Sequence, residues 1–343
     1  MRWQIIIVPY NCCHAAFSKI CQRVSLKQLT EYMVQKKRLS QHQSDNKRLH
    51  FAETLNIFIT GTVLNAIDNG EVTALVLLDL SKAFDSIDHS LLLTILSTLG
   101  LSNVSLERFK SYLSLLSETR MMAQGVPQGS TLGPALFNIY INDLPHILNS
   151  CSLESYVDNS KLYLSFSVKD TEDTAAHLTG DLQRIAVWGS FHSLLIHPDK
   201  KKLLLLGTRQ MRNRLPDSFH ITLLGKEISL VPSARDLVVE IFLSYDEHIT
   251  SVVSKCIASF CQINRVKHIL DKQSLITVID ALVFSRFYYC SSASSNTSKK
   301  NIVKQRNVQN FAARIITYTS KFDHIMPAIK QLNCLPVYVA CYS

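Results

Sequence analysis

The sequence predicts an α+β fold, and three observations predict it. A continuous apolar run, TALVLLDL from Thr73, has the length and the Leu/Val content of a strand buried on both faces. Two further β-type runs, SLESYV and KLYLSF, flank Asp158 and Asn159 and read as a tight hairpin with those two residues at its tip. Past Gly207, apolar residues recur three and four apart in EHITSVVSKCIASFCQINRVKHIL, QSLITVIDALVFSRF and KKNIVKQRNVQNFAARIIT, the spacing of helices packed by one face.

The elements follow in order. The first residues, MRWQIIIVPYNCCHAAF, hold a short apolar run broken by Pro9, too interrupted for a membrane-spanning helix and expected as a buried first strand. The polar stretch KKRLSQHQSDNKR, Lys36 to Arg48, is expected as a linker or a mobile loop. After the Thr73 strand, Asp88 or Ser90 can cap a helix carrying LLLTILSTL, with Gly100 as its left-handed stop. A second helix is expected from Thr131 to about Ile147, with Pro134 tolerated in its first turn.

Composition narrows the class. A chain of 343 residues with 47% hydrophobic content can bury one large core or two to three smaller subdomains. The formal charge of +9 suits a polyanionic partner, nucleic acid or an anionic membrane face. Nine cysteines without a CxxC pair indicate neither a disulfide framework nor a zinc knuckle, and a reducing, intracellular compartment is expected.

The chemistry concentrates at three places. Phosphoryl transfer through two divalent ions needs clustered carboxylates, and Asp79 at a strand end with Asp158 on a hairpin tip can supply the cluster. Either residue alone reads equally as a cap or turn former. The loop GVPQGSTLGPALF gathers Gly125, Gly129 and Gly133 just ahead of a helix, which suits close approach of backbone to a ligand or a flexible turn.

Taken in order and spacing, LLDLSKAFDSIDH, GVPQGSTLGPALFNIYINDL and YVDNSKLYLS resemble the palm motifs of reverse transcriptases of non-LTR retrotransposons. The resemblance extends along the chain. FSKICQRVSLKQLTEYM is similar to the start of the family's fingers, HPDKKKLLLLGT to its late palm motif, and SARDL with SYDEHIT to the connector beyond. NVQNFAARIIT and FDHIMPAIKQLNCLPV are similar to its downstream helical region. The resemblance implies a right-hand polymerase, with fingers over residues 1–72, palm over 73–207 and thumb or connector helices over 208–343.

It further implies that Asp79 and Asp158 bind two Mg2+ ions, with Mn2+ as an alternative, and that Phe84 gates against a ribose 2′-hydroxyl. Gln128 and Gly129 would shape the pocket for the templating base and incoming nucleotide. Lys200 would sit near the triphosphate as a proton donor, and Lys47 and Arg48 would meet the same group, although all three also read as solvated lysines and arginines. The implied partners are an RNA template, a DNA primer and deoxynucleoside triphosphates, with no membrane.

The sequence departs from the family pattern at the hairpin. The family carries two adjacent aspartates there, and this chain has Asn159 at the second position, which keeps the shape and removes a charge. RMMAQGVPQG and ARDLVVEIFLSYDEH are shorter than the family pattern, and Asn46 stands where an aromatic is usual. No endonuclease-like region precedes the palm motifs and the chain stops at Ser343, which reads as a truncated copy of a mobile-element protein. Impaired catalysis is expected, and the alternative is an inactive nucleic-acid-binding remnant that keeps a basic groove.

Overall fold

The computed structural model describes residues 15–43, 52–120, 124–126, 130–197, 200–216, 218–232, 234–236, 239–241, 246–288, 298–320 and 322–332. The expected first strand, Lys47, Arg48 and Asn46, and Gln128 with Gly129 therefore lie outside the described residues. Two compact units emerge, one made of residues up to Leu55 with Gly61–Pro232, the other of Asn56–Thr60 with the residues from Ser233 onward.

The first unit is built on an antiparallel sheet. Helices α1 (Ala15–Gln35) and α2 (Ala52–Asp68) precede the central strand β1 (Val72–Ser81). Then come α3 (His89–Thr98), α4 (Asn103–Arg120), α5 (Gly133–Tyr140), the hairpin β2 (Ser152–Tyr156) and β3 (Asn159–Phe166), α6 (Thr171–Phe191), β4 (Leu195–Ile196) and β5 (Lys202–Leu206). β3 lies on one side of β1 with β2 outside it, and β4 and β5 pair with the other side at successive stretches of β1.

β1 is buried on both faces, as its unbroken apolar text requires. Val72, Ala74, Val76, Leu78 and Leu80 alternate onto one face and join a core with Leu92 and Leu96 of α3, Phe109 of α4, Phe137 and Tyr140 of α5, and Leu178, Leu182 and Ile185 of α6. Leu75 and Leu77, on the opposite face, are buried too. Asp79 shares that second face.

Asp88 caps α3, its side chain accepting from Leu91 N, and Gly100 closes the helix at φ +90°. The second expected helix is shorter than its text. α5 keeps Pro134 in its first turn but stops at Tyr140, and a separate 3₁₀ turn covers Leu144–Ile147. Pro145 explains the break, since it has no N–H for the carbonyl of Ile141 and its ring would crowd that carbonyl.

The expected linker is partly docked instead. Ser155 N donates to His42 O, Gln43 bridges to Ser155 in parallel, and His42 Nδ1 lies 2.7 Å from the buried carboxylate of Glu154. The open edge of β2 supplies unpaired backbone groups, and this polar segment satisfies them.

Beyond β5 the helical expectation needs correcting over residues 222–241. Two short hairpins stand there, β6 (Thr222–Leu223) with β7 (Lys226–Glu227), and β8 (Ala234–Asp236) with β9 (Val239–Ile241). Leu224 and Gly225 at left-handed φ form the first turn, a local signal that apolar periodicity does not register. From residue 246 the second unit is helical: α8 (Asp246–Val266), α9 (Lys272–Ile279), a π-helical stretch at Asp280–Phe284, α10 (Ser285–Tyr288), α11 (Lys299–Thr317) and α12 (Met326–Gln331), a four-residue helix α7 (Arg209–Arg212) having closed the first unit's strand β5. Its core joins Cys256, Phe260 and Ile263 to Leu275, Ile279, Val283, Val308 and Ala312. Among the described residues no helix is long and apolar enough to cross a membrane.

Candidate active site

Three chain segments converge where β1 ends. β1 pairs with β3 so that Asp79 stands directly opposite Asn159, and Leu80 N donates to Asp158 O at 3.2 Å. The β2–β3 turn thus lies beside Asp79. On the other side of β1, His197 N donates to Asp79 O at 2.8 Å, which fixes the chain leaving β4. Lys200 follows in the connection to β5, its Nζ 2.8 Å from Asp79 Oδ2.

The hairpin tip is displaced by one residue from its expected place. Tyr156 pairs with Asn159, so the two turn residues are Val157 and Asp158, and Asn159 is the first residue of β3. Val157 sits at φ +54°, where a β-branched side chain is strained by about 1–2 kcal/mol. Its side chain packs against the core of the first unit, which holds the turn in that shape.

The carboxylates are not equivalent. Burial pushes the Asp158 carboxyl above the usual carboxylate range; its own backbone N–H opposes this, the negative Asp79 adds to it, and Lys200 partly offsets it. Asn159 Nδ2 donates to Asp158 Oδ1 at 3.2 Å. Lys200, held by a hydrogen bond to Asp79 and by its charge, is shifted above the ordinary lysine value. Among the described residues no group of three His, Cys, Asp or Glu side chains comes together, so the candidate site is a carboxylate pair with an amide beside it.

Phe84 lies on the turn after β1, its ring 5.2 Å from that of Phe137 on α5. The turn is closed by Asp85 N and Ser86 N donating to Lys82 O. The glycine loop begins on it: Val126 N donates to Phe84 O, Gly125 N to Ile87 O, and His89 Nε2 lies 2.7 Å from Gly125 O. Gly125 has φ +92°, and a Cβ there would meet the Asp85 backbone at 3.0 Å, so only glycine fits. On the far side of the loop Thr131 N donates to Gln22 Oε1 of α1. The turn carrying Phe84 thus anchors the near end of the glycine loop, and α1 holds its far end.

Two contributors escaped the sequence reading. Asp181 of α6 is fully buried and accepts from the backbone N–H groups of Asn149, Ser150 and Cys151, pinning the segment that leads into β2. Its signal was available: Leu178, Asp181, Leu182 and Ile185 occupy one helical face, and a carboxylate on an apolar face asks for partners. His197 holds Asp79 through its backbone N–H, and no residue-type pattern announces that.

Residues 11–228 match the family model described as reverse transcriptase (RNA-dependent DNA polymerase). The chain is 24% identical over 327 residues to the probable RNA-directed DNA polymerase from transposon BS of Drosophila melanogaster, covering 88% of this chain and 35% of that protein. It is 22% identical over 320 residues to the probable RNA-directed DNA polymerase from transposon X-element of the same organism, covering 88% of this chain and 34% of that one. The chain thus spans about a third of the length of these relatives. A solved structure of telomerase from Candida albicans in complex with a fragment of telomeric RNA overlaps it with a TM-score of 0.32 at 13% identity, over 91% of this chain and 52% of that one. The match to this family model over residues 11–228, more than half of the chain, makes the chain a member of the reverse transcriptase (RNA-dependent DNA polymerase) family.

Proposed function

We propose that this chain carries an RNA-directed DNA polymerase active site whose nucleotidyl transfer is impaired by Asn159. The observation that supports it best is the β1–β3 register, which sets Asp79 opposite Asn159 and draws the Asp158 turn alongside. Residues 73–207 serve as palm, 1–72 as fingers and 208–343 as thumb and connector.

The donor set suits a hard cation. Asp79 and Asp158 offer carboxylate oxygens, and Asp158 is destabilised as an anion by burial and by Asp79, a strain that a divalent ion relieves. Magnesium is commonly held by one or two carboxylates together with substrate phosphates, so the pair suffices for binding while the missing third charge weakens it. Bound there, magnesium would supply positive charge for the attacking and leaving oxygens of the transfer.

The chain's own groups do the rest. Phe84, braced by Phe137, presents a rigid ring as a wall for the sugar of the incoming deoxynucleotide. Gln128 and Gly129 serve the templating base and incoming nucleotide, and Lys47 and Arg48 the triphosphate. Lys200 can donate a proton to the departing pyrophosphate once it is released from Asp79. An RNA template and a DNA primer are the macromolecular partners, matched to the net charge of +9.

The test is primer extension on an RNA template with Mg2+ or Mn2+, comparing the Asn159→Asp chain with the same chain carrying Asp79→Ala. Extension that disappears with Asp79→Ala supports the reading. Extension that survives Asp79→Ala overturns it.

A further inference from the structure

We propose that Lys200 is an intrinsic counter-ion that occupies Asp79 and must leave it before a divalent cation can be held there. The inference rests on the reading of Asp79 and Asp158 as a cation site and deepens it. Three observations carry it.

First, the Lys200 ammonium lies 2.8 Å from Asp79 Oδ2, so its positive charge already sits on one of the two oxygens that the carboxylate offers a cation. Second, the pair is unevenly exposed, with the Lys200 side chain 57% exposed and that of Asp79 18%. The lysine can swing into water at little cost, whereas the aspartate stays where β1 puts it. Third, Asn159 Nδ2 donates to Asp158 Oδ1, so each carboxylate already has one oxygen engaged by a donor from within the chain.

The charge balance sharpens this. With Lys200 in place the cluster is one negative charge short of the bare carboxylate pair, and Asn159 adds none. A cation approaching the closed cluster must displace an ammonium as well as shed water, and its attraction scales with the charge that remains. Lys200→Met and Asn159→Asp therefore change the cluster's charge by the same amount through different routes. The first removes a competitor and adds no ligand; the second adds a ligand and keeps the competitor.

The test is Mn2+ titration of the full chain, followed by electron paramagnetic resonance without nucleotide or nucleic acid. Lys200→Met is expected to bind Mn2+ about two- to fivefold more tightly than the natural chain, the range that exposed ion pairs support. Lys200→Arg, which keeps the charge, stays at the natural affinity, and Lys200→Met/Asp79→Ala loses binding. Unchanged or weaker binding by Lys200→Met, with Asp79 still required, overturns the counter-ion and leaves the cation site standing. Equal tightening by Lys200→Arg and Lys200→Met overturns it as well, because shape rather than charge would be responsible. Binding that persists without Asp79 overturns the cation site and the counter-ion together.

Discussion

Asp181 and Asp158 belong to the same unit, and their surroundings treat the same chemical group in opposite ways. Asp181 has no exposed surface, yet three backbone N–H groups and Arg184 Nη1, 2.7 Å from Oδ1, converge on it. Burial pushes its carboxyl up, but the N–H groups of Asn149, Cys151 and Ser150 outweigh that and hold it below the usual carboxylate range. Asp158 is only partly buried, faces another carboxylate and ends above that range. One site is complete without a ligand. The other is left short of positive charge, which is how binding sites differ from structural ones.

The comparison breaks most visibly at Asp181. Asp181→Ala is expected to destabilise the first unit by about 1–3 kcal/mol, because it removes the buried acceptor on which three backbone N–H groups converge. Urea unfolding checks this, and a loss under about 1 kcal/mol would show that water replaces the carboxylate.

Asp158→Asn should move stability the other way. Removing an anion that burial and Asp79 disfavour stabilises the fold at neutral pH, at the expense of the site. A midpoint in urea that falls for Asp158→Asn contradicts the account.

The pH dependence of the two is opposite in sign. The lowered Asp181 contributes stability that is present above the unfolded carboxylate value and is lost as pH falls through its folded value. The raised Asp158 binds its proton more tightly when folded, so its penalty at neutral pH is relieved as pH falls through its folded value. Unfolding free energies measured from pH 7 down to the carboxylate range should lose the second trend in Asp158→Asn while keeping the first.

The smallest effect is expected at Asp88, whose side chain accepts the capping bond from Leu91 N. Asp88→Ala should cost about 1 kcal/mol without altering either pH trend. A changed trend would mean that α3 is coupled to the site.

Much of this was legible because the decisive signals are local. The β1 strand declares itself by seven consecutive apolar or small residues, Asp88 and Gly100 bracket α3 by their chemistry, and the helices from residue 246 follow their periodicity. What was missed depends on pairing. The tip at Val157–Asp158 follows from the register of β2 against β3, which composition does not specify. The docking of residues 40–43 depends on a free strand edge far along the chain. Lys200 could be placed near the site from its motif, but its partner Asp79 lies 121 residues away and only the fold brings them together.

The central claim, a polymerase scaffold one charge short at its site, is tested most directly by the rate of single-nucleotide addition to a primer on an RNA template at saturating Mg2+. Restoring the carboxylate with Asn159→Asp should raise that rate about ten- to a hundredfold over the natural chain, the range for restoring a metal-site contact. Equal rates in the two chains, with Asp79 required in both, would contradict the claim by showing that the amide serves as well as the carboxylate.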